Sequence, residues 1–280
     1  MFKRFMENKS SLMRMAALAL CAGLALAALA GCSAQEQKKD AADAGKKEFK
    51  IGLDASYPPY GFMSDDGKIT GFDVDLAAEV AKRNGWSFTP ESIDWDAKDA
   101  MVDSGSIDCI WNGFTIQGRE DKYTFTEPYM VNKQVIVVKA DSGIKGEQDL
   151  KGKVVMTQAD SAALEVLEGE KKDLAASFKK LEQIPEYNTA FNQLEAGAVD
   201  AVACDLSIAQ YQMAAKPGKY IMLEPALAEE TYGVGFKKGN TQMADTVTKT
   251  LKEMYEDGTV AKIAKNYEQY GLNMENWLLK

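Results

Sequence analysis

The chain has 280 residues, enough for one large or two medium domains with a substantial core. Its composition, 46% hydrophobic and 27% charged, is that of a soluble globular protein. The net charge of -9 argues against nucleic-acid binding, which needs a basic surface. The sequence contains no histidine, which excludes histidine-based triads and removes the commonest metal ligand. We therefore expect neither a metal site nor a cofactor.

The N-terminal segment has the features of a secretory signal. Basic residues precede an apolar run, Met15–Ala30, which falls short of the ~20 residues that a membrane-spanning helix needs. The run leads into Gly31 and Cys32, and this end of the segment resembles the bacterial lipobox, in which the cysteine carries the lipid. We predict a lipoprotein signal peptide over residues 1–31, lipidation of Cys32 and a flexible polar tether over residues 32–48. The alternative is a short uncleaved anchor in which the cysteine has no role.

After the tether the chain alternates strand and helix patterns, as α/β folds do. The first predicted strand is FKIGLD. The segment GFDVDLAAEVAKRNG brings Phe72, Leu76, Val80 and Ala81 to one face of a predicted helix. A strand WSFTPES, a helix DAKDAMVDSG that ends at Gly105 and a buried strand IDCIWNGF follow.

The second half repeats this order of elements. Strands are predicted in KVVMTQ, FKKLEQIPEY and VDAVACD, and helices in DSAALEVLEGEKKDLAASF and TAFNQLEAG. The segments Ser104–Ile110 and Ala196–Val202 match position by position: small, glycine, small, β-branched, aspartate, small, β-branched. The repeat indicates two similar lobes.

A strand in TYGVGFKKG and helices in ADTVTKTLKEMYEDG and TVAKIAKNYEQYG come after the repeat, and we expect them to return to the first lobe. Such a return requires two crossovers, which we place near Val131–Gln134 and Ala228–Thr231. The predicted organisation is lobe 1 over 49–131, lobe 2 over 132–230 and the return segment over 231–280.

The four cysteines do not predict a disulfide framework. Cys21 lies in the predicted signal peptide and Cys32 is the predicted lipid site. Cys109 and Cys204 each lie in an apolar, strand-like run, so we expect small buried residues rather than a bridge.

Five motifs occur in a fixed order along the chain: IGLDASYPPYGFMSDDGKITGFDVDLAAEVAKRNG, NGFTIQGREDKYTFTEPYM, DLKGKVVMTQADSAALE, AVDAVACDLSIAQY and TLKEMYEDGTVAKIAKNYE. With these motifs, residues 49–270 resemble the solute-binding proteins of polar amino acid ABC transporters, also called bacterial extracellular solute-binding protein family 3. The resemblance implies the periplasmic-binding-protein type II fold, which is α/β with two Rossmann-like lobes, a two-strand hinge and a ligand cleft between the lobes. It also implies a monomeric binding protein without enzymatic activity.

In that family a free amino acid lies between the lobes, and the resemblance assigns first-lobe contacts to matching positions. Asp54 and Tyr57 match positions that meet the ligand side chain, and Trp95 matches an aromatic residue that stacks over it. Gly113 matches a position whose carbonyl receives the ammonium group. Thr115 matches one whose amide and hydroxyl receive the carboxylate.

The resemblance also supplies partners for the two charged ends of the ligand. Arg119 matches the arginine that clamps the α-carboxylate, Ser161 a second-lobe hydroxyl on the same carboxylate, and Asp205 the carboxylate that pairs with the α-ammonium. The loop before Arg119 is one residue shorter than the commonest pattern, and we expect Gly118 to absorb the altered turn. Asp160 replaces the usual glycine, where it would either cap the following helix or repel the ligand carboxylate.

Each assignment has a purely structural alternative. Arg119 alone would fit a surface arginine paired with Asp121, Asp205 a helix cap and Asp54 a turn residue. The aromatic residues would fit the core. A charged pair on opposite lobes is required because a buried, unpaired charge costs several kcal/mol. A planar guanidinium is suited to bidentate binding of a carboxylate.

These observations predict a lipid-anchored, extracytoplasmic receptor of a bacterial membrane that closes on a free polar, neutral or basic L-amino acid and presents it to an ABC transporter permease. Lysine, arginine, ornithine, histidine, glutamine and cystine all fit an acidic, aromatic side-chain pocket. The alternatives are a dehydratase of the same fold that acts on cyclic carboxylates, a receptor that reports to a signalling partner, and a structural lipoprotein.

Overall fold

The computed structural model describes residues 46–280, so the predicted signal peptide, Cys32 and most of the tether lie outside the described residues. The strands are β1 Glu48–Leu53, β2 Ser56–Tyr57, β3 Gly61–Met63, β4 Ile69–Thr70, β5 Ser87–Ser92, β6 Cys109–Ile110, β7 Tyr123–Phe125, β8 Met130–Lys139, β9 Val154–Gln158, β10 Lys180–Ile184, β11 Ala201–Asp205, β12 Tyr220–Met222, β13 Ala228–Tyr232 and β14 Gly235–Lys237. The α-helices are α1 Phe72–Arg83, α2 Lys98–Ser104, α3 Ala162–Glu168, α4 Lys172–Ser177, α5 Tyr187–Ala196, α6 Leu206–Ala215, α7 Thr241–Glu256 and α8 Thr259–Ala264.

Two larger sheets organise this part of the chain. The first has the strand order β5-β1-β6-β14-β7, with β1 parallel to β5 and β6. The second has the order β10-β9-β11-β8-β12, and β13 pairs with β8. Strands β2, β3 and β4 form a small third sheet. We call the parts of the chain packed around the two larger sheets the first and the second lobe.

Helix α1 packs against the first sheet as the apolar spacing predicts. Phe72, Leu76, Val80 and Ala81 are all buried. The helix carries acidic residues in its first turn and basic residues in its last, which suits the helix dipole. Helices α7 and α8, from the end of the chain, pack on α1. These contacts support a return of the C-terminal elements to the first lobe, and the bounds of the return segment, 231–280, stay a prediction.

The repeated junctions have the same structure in both lobes. Gly105 and Gly197 end α2 and α5 in the left-handed conformation, with φ of 76° and 74°. Asp108 then accepts a hydrogen bond from the backbone N of Lys50 at 2.7 Å, and Asp200 accepts one from the backbone N of Val154 at 2.8 Å. In each lobe the aspartate therefore holds the neighbouring parallel strand near its N-terminal end.

The two predicted crossover segments pair with each other. Strands β8 and β13 are antiparallel, with Val131 opposite Thr231 and Gln134 opposite Ala228. Beyond β13 the chain enters the first sheet as β14, between β6 and β7. This topology is the one expected of a two-strand hinge, although the exact lobe boundaries remain predictions.

The strand predicted in IDCIWNGF is shorter than expected. Only Cys109 and Ile110 belong to β6, because the chain leaves the sheet before Gly113, whose φ is 56°. The backbone N of Gly113 donates to Asp73 of α1 at 2.6 Å instead of continuing the ladder. Cys109 and Cys204 are buried free thiols. Among residues 46–280, no helix is long and apolar enough to cross a bilayer.

Candidate functional site

Seven predicted site residues line one narrow cleft between the lobes, of about 20 Å³. They are Tyr57, Trp95, Gly113, Thr115 and Arg119 from the first lobe and Ser161 and Asp205 from the second. Phe114, Gln158 and Ala162 complete the lining. The eighth predicted residue, Asp54, lines an adjoining outer cavity, which Trp95 shares.

Arg119 is buried in the first-lobe wall, with an exposed fraction of 3%. One terminal nitrogen donates to the backbone O of Thr115 at 3.2 Å, and the other donates to Glu165 of the second lobe at 3.0 Å. The guanidinium carbon lies 4.9 Å from the centre of the Phe114 ring. Gly118 has a φ of 81°, so it takes up the turn in the shortened loop. This environment differs from that of a surface arginine paired with Asp121.

Asp205 sits at the N-cap position of α6, but its side chain makes no capping hydrogen bond. Its Oδ1 instead accepts from Asn132, Gln134 and Tyr232, each at 2.8 Å. The carboxylate is therefore held at the bottom of the cleft by donors on the two crossover strands. Helix capping, the structural alternative, is not the role that the structure gives it.

Asp54 joins the lobes. Its Oδ1 accepts from the backbone N of Ser56 and its Oδ2 from Gln158 of the second lobe, both at 2.7 Å. Burial raises the pKa of Asp54 above its usual range. The carboxylate thus lies at the boundary between the narrow cleft and the outer cavity, in contact with both lobes.

The hydroxyl groups of Thr115 and Ser161 are already engaged by the protein. Thr115 donates to Glu230 at 3.0 Å. Ser161 caps α3, accepting from the backbone N of Leu164 at 3.2 Å, and donates to the backbone O of Gln158 at 2.8 Å. Both line the cleft, but the protons of these hydroxyls point toward protein acceptors rather than toward the predicted ligand carboxylate.

The aromatic residues form the walls of the cleft. Tyr57 is 5% exposed, and its ring centre is 6.2 Å from those of both Tyr60 and Tyr187. Trp95 stands edge-on to Phe114, with 5.8 Å between the ring centres and 85° between the planes. Because Trp95 also lines the outer cavity, one indole borders both spaces.

Sequence reasoning missed Glu230, which lies behind the cleft on β13. It is buried, and Asn132 and Gln134 donate to it at 2.7 and 2.8 Å. Burial, together with the nearby charge of Asp205, raises the pKa of Glu230 to about 8. One signal was available: Asn132 and Gln134 are two residues apart on a strand and therefore share a face just before an apolar run.

Sequence reasoning also missed Lys98. Its contact with Asp160 shows what the Asp160 side chain does at a position where the family usually has glycine. Asp160 does not cap α3, because Ser161 does. The Asp160 carboxylate binds the ammonium group of Lys98 instead, across the cleft. The predicted repulsion of a ligand carboxylate is therefore reduced by a neighbouring cation.

The outer cavity, of about 610 Å³, is strongly acidic. Its lining includes four carboxyl groups, those of Asp54, Asp94, Asp96 and Glu186, and none of the described residues that line it is basic. In the described part of the chain, these four carboxyl groups included, no group of acidic or cysteine side chains is arranged to hold a metal ion.

Comparisons with known proteins agree with this architecture. The family model of the bacterial extracellular solute-binding proteins, family 3, matches residues 49–270. The L-cystine-binding protein TcyA of Bacillus subtilis is 33% identical over 91% of this chain and 97% of the relative. The L-cystine-binding protein TcyJ of Escherichia coli strain K12 is 30% identical over 93% of this chain and 95% of the relative.

A solved structure gives the same result. The substrate-binding protein of an ABC uptake transporter from Streptococcus pneumoniae, crystallised with bound histidine, superimposes with a TM-score of 0.76 at 32% identity. The match covers 79% of this chain and 92% of that one. Together with the two-lobed structure and its interlobe cleft, these matches show that the chain belongs to the bacterial extracellular solute-binding proteins, family 3.

Proposed function

We propose that the protein is the solute-binding component of an ABC importer, which closes on a free polar, neutral or basic L-amino acid and delivers it to the permease. The observation that carries the proposal is the position of Arg119 and Asp205, which line the same cleft from opposite lobes. A zwitterion between them satisfies both charges, which neither lobe does alone. Binding therefore favours closure through contacts that only the closed state makes.

The charges of the site match the two ends of an amino acid. Arg119 has five N–H donors in a planar fork, and the protein uses two of its nitrogens on Thr115 and Glu165. A ligand carboxylate shares this fork or displaces Glu165 from it. Asp205 answers the α-ammonium with a carboxylate whose position is set by three donors.

The outer cavity supports a ligand whose side chain ends in a cation or an amide donor. Four carboxyl groups favour positive charge there, and the Trp95 indole offers a face for cation–π contact. Arginine, lysine, ornithine, histidine, glutamine and cystine have the required chemistry. The same carboxyl groups disfavour glutamate and aspartate.

A thermal-shift screen of the twenty amino acids with ornithine and cystine, followed by calorimetry on each hit, tests this proposal. We expect one or more of the six named compounds to raise the melting temperature and Arg119→Lys to abolish most of the affinity, because a point charge does not replace the fork. A preference for glutamate or aspartate would contradict the proposed ligand class. Release of product from a cyclic carboxylate would point to the dehydratase, which the names of the relatives do not support.

We also propose that the mature chain is a monomer anchored outside the cytoplasm by lipid on Cys32. The support is the signal-like apolar run and the small residues before the cysteine. Mass spectrometry of the membrane fraction should find a diacylglycerol adduct on Cys32, and Cys32→Ala should release the protein from that fraction. An unmodified cysteine in membrane-bound protein would refute the lipid anchor.

A further inference from the structure

Lys98, the first residue of α2, is an unusual lysine because its side chain is only 2% exposed. Its Nζ lies 3.3 Å from the backbone O of Trp95 and 5.1 Å from the centre of the Trp95 ring. Both contacts lie within the first lobe. A backbone carbonyl and a ring face do not neutralise a buried ammonium. The first-lobe carboxylate nearby, that of Asp99, accepts from Lys122 and Tyr123 instead, so no carboxylate in the described part of the first lobe bonds to this ammonium.

The counter-ion comes from the second lobe. Asp160, in the turn between β9 and α3, binds the Lys98 ammonium with its carboxylate and also accepts from Nζ with its backbone O at 3.3 Å. Burial lowers the pKa of Lys98, and the Asp160 carboxylate opposes that shift. The other charged groups near Lys98 are Arg119 and Asp99. Of the three, only Asp160 belongs to the opposite lobe.

The backbone conformation at Asp160 is one that glycine adopts more readily than aspartate. Its φ is 54°, the one positive φ of a non-glycine residue in the described part of the chain. A glycine adopts this conformation without strain, whereas an aspartate is tolerated there at some cost. Glycine, the residue that would fit the turn best, lacks the carboxylate that pairs with Lys98.

We propose that Lys98 and Asp160 form an interlobe latch that retains the bound amino acid. The pair assembles as the lobes close, and its separation limits ligand release. The Asp160 side chain is 40% exposed even with the lobes closed, so the pair gives up only part of its hydration when it forms. The latch stabilises the closed, liganded state relative to the open one, and its loss therefore speeds release without disturbing the fold of either lobe. This inference rests on the proposed function, because it requires an amino acid held between the lobes.

The test measures release directly. Protein loaded with radiolabelled arginine, lysine, ornithine, histidine, glutamine or cystine, each in turn, is diluted into an excess of the same unlabelled amino acid, and retention is followed over time. Lys98→Met and Asp160→Gly should each raise the dissociation rate constant about tenfold or more, while the association rate constant changes little. Lys98→Arg should retain the slow release. The double variant should release ligand no faster than the faster single variant, because either change breaks the same pair.

Thermal unfolding of the unliganded variants separates the latch from a structural role. Asp160→Gly relieves a strained backbone and should not lower the melting temperature. Faster release without loss of stability is the signature of a latch. Lys171→Met is the matched control, because Lys171 pairs with Glu147 at 2.8 Å within the second lobe and is also partly buried. Its release rate should be that of the wild type.

The outcomes distinguish the two proposals. If the wild type retains none of the six probes, the proposed function fails and the latch with it. If the wild type retains a probe and Asp160→Gly releases it at the same rate, the latch is wrong and the proposed function stands. Additive effects in the double variant, or an equal effect of Lys171→Met, would also overturn the latch.

Discussion

At the scale of single residues, the cleft depends on two carboxyl groups that share the same donors. Asp205 lines the cleft and Glu230 lies behind it, and the amide groups of Asn132 and Gln134 donate to both. Burial raises the pKa of Glu230 to about 8, so this group is largely protonated at neutral pH. We infer that Asp205 supplies the negative charge for the ligand ammonium, while Glu230 positions the amides that hold it.

Replacement of Asp205 by asparagine should remove the negative charge of this side chain while keeping its shape. The asparagine Oδ1 can still accept from the neighbouring donors, so we expect little loss of folding. The ligand ammonium loses its counter-ion, which should weaken binding about 30-fold or more by calorimetry. Asp121→Asn changes an exposed carboxylate near Arg119 and should leave the affinity unchanged. Equal affinity in the Asp205 variant would remove this residue from the site.

Glu230 should make the stability of the protein depend on pH. Its pKa rises from an ordinary value of 4.5 when unfolded to about 8 when folded, so the native state binds more protons between these values. The free energy of unfolding therefore falls as the pH rises through this window and levels off above it. Asp73, whose pKa burial raises to about 7, adds the same trend at lower pH.

The window from pH 7 to 9 tests Glu230, because Asp73, with a pKa of about 7, completes most of its titration in the lower half of this window, while Glu230, with a pKa of about 8, titrates throughout it. The melting temperature of the wild type should fall by a few degrees across it, whereas Glu230→Gln should show a flatter profile. Glu229→Gln is the matched control, because Glu229 is the next residue on β13 and pairs with Lys133 at the surface. A wild-type profile in the Glu230 variant would show that another group titrates there.

At the scale of elements, each lobe holds one strand of its larger sheet with the same kind of hydrogen bond, β1 in the first lobe and β9 in the second. Asp108 and Asp200 each follow a helix that ends in a left-handed glycine, and each accepts from a backbone N of the neighbouring strand. The position-by-position match in the sequence thus marks a repeated hydrogen bond as well as a repeated shape.

Asp108→Ala and Asp200→Ala should each lower the free energy of unfolding by about 1–3 kcal/mol, since each leaves a partly buried backbone N–H without its acceptor. Denaturant titration measures the loss. Asp141→Ala, in an exposed turn, should cost much less. If only one of Asp108→Ala and Asp200→Ala is destabilised, the two hydrogen bonds do not have the same role in the two lobes.

At the scale of the whole molecule, polar side-chain contacts join the lobes across the cleft. They include Asp54 with Gln158, Arg119 with Glu165, and Lys98 with Asp160. Within residues 48–280 the chain passes from one lobe to the other along β8 and β13, which pair with each other. We infer that closure is a rotation about this two-stranded ribbon and that the polar contacts across the cleft fix the closed position.

Small-angle scattering should detect this rotation. A saturating ligand from the screen should lower the radius of gyration of the wild type, because the open state is more extended. Asp205→Asn binds the ligand more weakly. At a ligand concentration that saturates the wild type but lies well below the dissociation constant of the variant, the variant should keep the radius of gyration of the unliganded protein. The same radius with and without ligand in the wild type would mean that binding does not require closure.

Much of this architecture could be predicted from the sequence, and the failures share a cause. The apolar face of α1 and the pairing of the crossover segments follow from local spacing and from the order of elements. Lys98 and Glu165 were missed because their partners lie on the opposite lobe, and periodicity within one segment carries no information about the angle between lobes. The true length of β6 was missed because the chain leaves the sheet for a tertiary contact, that of Gly113 with Asp73.

The pairing of the crossover strands has a consequence for how such a chain can be divided. Asn132 lies opposite Glu230, so the second lobe leaves and rejoins the rest of the protein at neighbouring points. It is in effect an insertion, both of whose ends emerge side by side from one ribbon. Removing residues 133–229 and closing the gap with a tight turn would leave the two flanking stretches already in register, which makes the first lobe a natural unit for excision, grafting or exchange.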